Sequence, residues 1–247
     1  MAAEDKQYSR IQPENLGFVV HIKICGIKEP EEVDLLNHSS ADLAGIWYGV
    51  GGGRADLSFD RFRSLAREIS ATGRMKPVLV TFIDEIRHLQ ETIAQSGLEW
   101  VQLHGFQPPS VIAALKKVFG ASLRIIKVLH VLGRHCLEGP LVKAYERAGT
   151  DYILFDAATP DGRLGSSGHR IDTDIVCALA NRLAVPFLIA GGISAHNIEH
   201  HRPAAEHPRF AGFDVDSGAR DRGGRLCAAS IMALSRSCET LYRELAA

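Results

Sequence analysis

A cysteine, a histidine and an aspartate each close a short apolar run in this chain of 247 residues. Cys25 ends VVHIKIC, His104 ends WVQLH and Asp156 ends DYILFD. A thiolate can remove a carbon-bound proton and a carboxylic acid can donate one, so Cys25 and Asp156 form a candidate pair of general base and general acid. The structural alternatives are packing for Cys25, a turn cap for Asp156 and a core histidine for His104.

Glycine-rich segments follow two further apolar runs. Gly191 and Gly192 follow PFLIA, and Ser217 and Gly218 follow GFDVD. Glycine-rich turns after strands present backbone amides that bind phosphate, and these two segments predict a phosphorylated ligand. Arg54 follows the flexible GVGGG segment, and its planar guanidinium suits a carboxylate.

Alternating strand and helix patterns must position these residues. Eight β-rich runs are predicted at residues 19–25, 43–48, 76–82, 100–104, 124–131, 151–156, 186–191 and 210–218. Helical patterns lie between them, except that 194–209 predicts only a short helix and an irregular link. Eight such units predict an α/β fold with a single-domain (β/α)8 TIM barrel at residues 19–247, preceded by a polar arm at 1–18. In that fold the catalytic residues lie at the carboxyl ends of the strands.

Composition favours a cytoplasmic enzyme that acts on a small molecule. The chain is 46% hydrophobic with a formal net charge of −1, and it carries no long basic run, so neither nucleic acid nor a membrane is expected as a partner. The first residues lack the apolar core of a signal peptide. The five cysteines form no C-x-x-C pair and are expected to be free thiols. HNIEHH, at 196–201, is interpreted as a solvated face rather than a metal site.

Five motifs, KICGI, VQLHG, DYILFD, IAGGIS and GFDVDSG, resemble those of the phosphoribosylanthranilate isomerase family in order and approximate spacing. The resemblance covers about residues 19–245. It implies an Amadori rearrangement of an aminoaldose phosphate to a 1-deoxyketose phosphate, without cofactor or metal, by a monomer or homodimer. By position, it makes Cys25 the base and Asp156 the acid, and it assigns substrate binding to Arg54, His104, Gly191, Gly192, Ser217 and Gly218.

The thiol pKa is expected to lie near the working pH, because Lys23 shares a strand face with Cys25 and makes its surroundings electropositive.

Three segments depart from the family pattern near the ligand. GVGGG replaces a segment that contains serine and proline, GSSG at 165–168 replaces GGTG, and Arg225 and Leu226 replace a Lys-Asp pair. These differences leave open a related enzyme for another aminosugar phosphate, and a catalytically silent barrel that binds a phosphorylated ligand or a partner. A lysine-dependent aldolase ranks last, since Lys127 lies within a predicted strand rather than at its end.

Overall fold

Eight parallel strands close into a ring in the computed structural model, which describes residues 22–158 and 171–246. The strands are β1 Ile22–Cys25, β2 Leu43–Trp47, β3 Lys76–Thr81, β4 Trp100–Leu103, β5 Arg124–Leu132, β6 His135–Cys136, β7 Tyr152–Ala157, β8 Phe187–Ile189 and β9 Phe210–Val215. The strands are paired in the order β4, β3, β2, β1, β9, β8, β7 and β5, and a β4–β5 pairing closes the ring. The short β6 pairs antiparallel with the end of β5.

Helices connect the strands and cover the outside of the ring. They are α1 Pro30–Asn37, α2 Phe59–Ala71, α3 Ile86–Ser96, α4 Pro109–Phe119, α5 Val142–Ala148, α6 Thr173–Ala180, α7 Arg202–Ala205 and α8 Ala228–Ala246. Local chemistry sets several of their ends. The Ser58 side chain accepts a hydrogen bond from the Arg61 amide at the start of α2, and Gly97 ends α3 in the left-handed conformation.

The strands are buried on both faces, which is why their sequences are continuously apolar. The outer face packs against the helices in the larger hydrophobic cluster, which includes Ile24 and Phe155. The inner face forms a second cluster, which includes Val78 and Leu154. The rings of Trp100 and Tyr152, which belong to this inner cluster, lie with their centroids 5.4 Å apart.

A buried ion pair interrupts the apolar interior. Lys23 of β1 and Asp214 of β9 are direct neighbours in the strand register, and Lys23 Nζ donates a hydrogen bond to Asp214 Oδ1 at 2.8 Å. The Lys23 side chain has no solvent exposure, and that of Asp214 has 6%. Burial alone would lower the pKa of Lys23, but the carboxylate of Asp214 and the thiol of Cys25 raise it, so Lys23 is a cation.

The predicted barrel and all eight predicted parallel strands are confirmed, with strand ends shifted by a few residues. Strand β6 was not predicted. The segment 194–209 forms a 3-10 turn at Ile198–His201 followed by the four-residue α7, as expected. The arm at 1–18, residues 19–21 of the first predicted strand and the GSSG segment lie outside the described residues. Among the described residues no helix is long and apolar enough to cross a membrane.

Asp214→Asn is expected to destabilise the barrel by about 3–5 kcal/mol, because it leaves the buried Lys23 charge without its counter-ion. Urea unfolding at neutral pH measures the loss. The control is the double variant Lys23→Met with Asp214→Leu, which removes both charges and is expected to recover much of that stability. Equal stability of Asp214→Asn and the wild type would contradict the structural role of the pair.

Candidate functional site

The chemically active residues predicted from the sequence gather at the carboxyl ends of the strands. Cys25 is the last residue of β1, His104 directly follows β4, and Asp156 is the penultimate residue of β7. Each of the three is buried, with 5%, 9% and 5% of its surface exposed. The barrel therefore brings the predicted base, histidine and acid to one end of its interior.

Cys25 lies between a cation and a hydrogen-bond donor. Trp47, the last residue of β2, donates a hydrogen bond from Nε1 to Cys25 Sγ at 3.2 Å. On the same face, a Cβ placed on Gly45 would lie 3.0 Å from both Cys25 Sγ and Lys23 Nζ. The absence of a side chain at Gly45 therefore makes room for the thiol and the ammonium group. Lys23 and Cys25 therefore share a strand face, as expected, and that face points into the barrel.

The expectation of a thiol pKa near the working pH is wrong. Burial raises the pKa of Cys25 to about 11, and the carboxylates of Asp214 and Asp216 raise it further. Lys23 and the indole N–H of Trp47 act in the opposite direction and do not offset the burial. The main cause is burial of the thiol, and the carboxylate of Asp214, which pairs with Lys23, opposes the effect of that cation. Cys25 is consequently a neutral thiol at neutral pH.

Asp156 faces the imidazole of His104 on the opposite side of the interior. His104 Nε2 lies 3.4 Å from Asp156 Oδ2, without the alignment of a hydrogen bond. The other ring nitrogen, Nδ1, is 3.0 Å from Gln102 Nε2, so a neutral His104 accepts there and carries its proton on Nε2, towards Asp156. Asp156 lies within the strand and contacts His104, so it does not serve as a turn cap.

A second histidine lies behind His104. His130 of β5 is fully buried, and its Nδ1 is 2.6 Å from Glu138 Oε1, while its backbone amide donates to Glu138 Oε2 at 2.8 Å. The rings of His104 and His130 lie 5.6 Å apart. Burial raises the pKa of Glu138, but the interactions with His130 outweigh it and the net shift is downward, so Glu138 is a carboxylate. This pair fixes the wall of the site beside His104.

Arg54 reaches the same mouth of the barrel and is held by a carboxylate of the protein. Its guanidinium contacts Asp216, which follows β9, and lies 5.8 Å from the centre of the Trp47 ring. Asp216 also accepts a hydrogen bond from Arg220 Nε at 2.7 Å. Arg220 in turn donates to the backbone carbonyls of Cys25 and Gly26 at 3.0 and 2.7 Å. The salt-bridge network therefore connects the Arg54 loop to the end of β1.

The two turns that were predicted to bind phosphate follow β8 and β9. Gly191 and Gly192 follow β8 with φ values of 90° and 65°, which favour glycine. Asn197 holds this turn by donating to the Gly192 carbonyl at 2.8 Å and accepting from the Ser194 amide at 2.8 Å. On the other side, Ser217–Ala219 forms a 3-10 turn after β9.

These turns are in close backbone contact. A Cβ on Gly218 would lie 1.9 Å from the carbonyl oxygen of Ile193, so the approach requires glycine at 218.

Sequence reasoning missed the partners of the candidate catalytic residues. Trp47 and Asp216 stand at strand ends, the position that singled out Cys25 and Asp156, but neither was assigned a role. The interpretation of 196–201 as a solvated face is wrong in part, because Asn197 and His201 are buried. No group of three or more His, Cys, Asp or Glu side chains that could hold a metal ion occurs within 22–158 and 171–246.

The amino-acid sequence matches an enzyme family over most of its length. Residues 22–225 match the family model for N-(5'-phosphoribosyl)anthranilate (PRA) isomerase. An N-(5'-phosphoribosyl)anthranilate isomerase of Parabacteroides distasonis is 30% identical over 200 residues, which cover 80% of this chain and 83% of the relative. The enzyme of the same name from Afipia carboxidovorans is 29% identical over 199 residues and covers 80% of each chain.

Solved structures share the fold at lower identity. The phosphoribosyl anthranilate isomerase of Thermotoga maritima has a TM-score of 0.70 and 24% identity, and the alignment covers 90% of this chain and 99% of that one. A thiamine phosphate pyrophosphorylase of Pyrococcus furiosus also aligns, with a TM-score of 0.65 and 14% identity over 90% of this chain and 96% of that one. Structural likeness at this level supports the barrel alone, and the family assignment depends on the sequence match.

Gly218→Ala is expected to weaken phosphate binding by about tenfold or more, because the added methyl group forces the turns after β8 and β9 apart. Calorimetric titration with inorganic phosphate measures the change. Gly139→Ala is the control, since its Cβ would meet nothing closer than 3.5 Å. Unchanged phosphate affinity in Gly218→Ala would show that these turns do not form the cradle.

Proposed function

Because the chain belongs to the N-(5'-phosphoribosyl)anthranilate isomerase family, we propose that it isomerises N-(5'-phosphoribosyl)anthranilate to the corresponding 1-deoxyribulose 5-phosphate. The observation that carries the proposal is the placement of a buried thiol and a buried carboxyl group in one strand-end site. Asp214 interacts electrostatically with both groups, since its charge raises the pKa of Cys25 and its own pKa is raised by Asp156. Burial is the main cause that raises the pKa of Asp214, and Lys23 and His104 lower it. A thiol and a carboxyl group supply the two proton transfers that an Amadori rearrangement requires.

Asp156 starts the reaction in this proposal. Its proton passes to the ring oxygen of the ribose, the bond between that oxygen and C1 breaks, and the nitrogen lone pair forms an iminium ion at C1. His104 Nε2 lies 3.4 Å from Asp156 Oδ2, although the two atoms are not aligned as a hydrogen bond. His104 therefore stabilises the carboxylate that remains after proton donation.

Cys25 completes the reaction. After the thiol has released its own proton to water, the thiolate removes the proton from C2, and the electron pair neutralises the iminium ion. The C2 hydroxyl group of the resulting enolamine then loses its proton while C1 gains one, which gives the ketose. The high pKa of the free thiol makes the thiolate a strong base once it forms. The positive charge of the iminium ion favours that ionisation, because an opposite charge nearby stabilises the thiolate.

The remaining residues bind the two ends of the substrate. The turns at Gly191, Gly192, Ser217 and Gly218 receive the phosphate, and Arg54 receives the anthranilate carboxylate. A guanidinium offers two parallel N–H groups to a carboxylate, which fixes the plane of the aromatic ring as well as its charge. The substrate is thus held at both ends, with C1 and C2 between Asp156 and Cys25.

A second substrate is favoured by one specific observation. Arg54 already contacts the carboxylate of Asp216, which also pairs with Arg220. A substrate carboxylate must therefore compete with an internal one for the same guanidinium. This arrangement favours an aminosugar phosphate whose aromatic group carries no carboxylate, processed by the same acid and base.

Cys25→Ser and Asp156→Asn are each expected to lower kcat by about 10²-fold or more, while phosphate affinity stays close to that of the wild type. The assay follows the loss of anthranilate fluorescence from N-(5'-phosphoribosyl)anthranilate generated in situ. For the wild type, kcat/KM is expected to rise with pH above neutrality, since the raised pKa keeps the thiol of the free enzyme protonated.

Wild-type turnover in Cys25→Ser would exclude the thiol as base. Turnover that is lost in Asp156→Asn but accompanied by lost phosphate binding would indicate a folding defect instead.

Arg54→Ala is expected to raise KM for N-(5'-phosphoribosyl)anthranilate by about tenfold, because a hydrogen-bonded charge pair is lost. It is expected to leave KM unchanged for the aniline analogue, in which the aromatic ring carries no carboxylate. Arg236→Ala, on the outer helix α8, is the matched control for loss of an arginine. If the wild type instead prefers the aniline analogue, and Asp216→Asn reverses that preference, the second substrate class is supported. Equal effects of Arg54→Ala on both compounds would exclude carboxylate recognition by Arg54.

A further inference from the structure

Trp47 holds the sulfur of the candidate base from the neighbouring strand. Its indole Nε1 donates to Cys25 Sγ at 3.2 Å, and both side chains point into the barrel at its carboxyl end. Trp47 is 9% exposed and Cys25 5% exposed, so the hydrogen bond lies largely out of contact with water. An N–H donor directed at sulfur stabilises a thiolate more than a thiol, because the charged acceptor forms the stronger bond.

The glycine-rich segment fixes the orientation of the indole ring. A Cβ placed on Gly53 would lie 3.1 Å from Cε3 and Cζ3 of Trp47 and 2.9 Å from Val50 Cγ1, so the backbone passes directly over the ring. The Leu57 amide donates to the Trp47 carbonyl at 3.1 Å, which joins the chain after the segment to the end of β2. Gly53 therefore has a packing reason, since a larger residue at this position would push the indole away from Cys25.

The charged groups around Cys25 act on its pKa in opposite directions, and the neutral N–H donor of Trp47 acts beside them. Lys23 faces the sulfur from β1, and Asp214 and Asp216 face it from β9. Lys23 is paired with Asp214, and Asp216 is paired with Arg54 and Arg220, whose guanidinium contacts the Cys25 carbonyl. Each cation is thus shared with a carboxylate. Lys23 also interacts with Cys25, and Trp47 Nε1 adds a hydrogen bond to the sulfur from the neighbouring strand.

We infer that Trp47 is a positioning residue for the reaction, which fixes the sulfur of Cys25 and stabilises its thiolate through the indole N–H. The inference rests on the proposed role of Cys25 as base. It is tested on the thiol as well as on turnover, so that its failure and the failure of the proposed function are distinguishable.

Trp47→Phe is expected to move the titration midpoint of Cys25 upward by about one pH unit, because the thiolate loses its donor. The measurement is the pH dependence of Cys25 alkylation by iodoacetamide in the full chain, followed on the Cys25 peptide by mass spectrometry. Peptide analysis separates Cys25 from the other four cysteines, and the midpoint is independent of how easily the reagent enters. Far-UV circular dichroism defines the pH range in which the protein stays folded.

Trp100→Phe is the matched control, because Trp100 also points into the barrel but contacts Tyr152 at the far end. It is expected to leave the Cys25 midpoint unchanged. A second variant replaces Trp47 with β-(3-benzothienyl)alanine, in which sulfur substitutes for the indole N–H and the shape of the ring is kept. This variant is expected to show the same shift as Trp47→Phe, even if the phenylalanine variant folds poorly.

Turnover supplies the second readout. In both Trp47 variants the pH profile of kcat/KM is expected to shift upward by the same unit as the thiol, with a fall of about tenfold at pH 8 and little change in KM. An unchanged Cys25 midpoint in the benzothienyl variant would overturn the inference, and so would an equal shift in Trp100→Phe. If the Cys25 midpoint shifts in the Trp47 variants but the wild type has no isomerase activity, the role of Trp47 towards the thiol is retained and the proposed function is rejected.

Discussion

The site depends on how the barrel accommodates charge where water is largely excluded. Lys23 and Asp214 lie on adjacent strands in direct register, and their 2.8 Å contact places a cation and a carboxylate in the centre of the ring. A buried charge without a partner costs several kcal/mol, so each member of the pair requires the other. Cys25 is two residues from Lys23 on the same strand and inherits this environment. The ion pair therefore determines the electrostatics of the base as well as the stability of the interior.

Glycine positions determine the geometry around that pair. Gly45 leaves room for the thiol and the ammonium group, Gly53 lets the chain cross the Trp47 ring, and Gly218 lets the turn after β9 touch Ile193. In each case the missing side chain lets a neighbouring group approach closely. Gly53 lies in the segment that departs from the family pattern, and its departure accompanies the contact with the Trp47 ring.

The sequence predicted the barrel well because both faces of its strands are buried, so that each strand is a continuous apolar run bounded by turn residues. It also predicted which residues stand at the strand ends, since that follows from where each run stops. It could not predict the contacts between strands. The Trp47 to Cys25 and Asp216 to Arg54 contacts join residues far apart in the chain, and their distances follow only from register and closure. The pKa of Cys25 was misjudged because the KICGI motif shows neither how deeply the thiol is buried nor that the carboxylates of Asp214 and Asp216 lie nearby.

The burial and protonation of Cys25 determine how fast it reacts with oxidants and electrophiles. Peroxides and electrophiles attack thiolates, whereas a neutral thiol reacts slowly. With a pKa of about 11, only a very small fraction of Cys25 is ionised at neutral pH. In the proposed reaction, formation of the thiolate is thereby coupled to the arrival of a cationic intermediate. A cysteine base of this kind would resist damage between turnovers, which a cysteine with a low pKa in an open cleft would not.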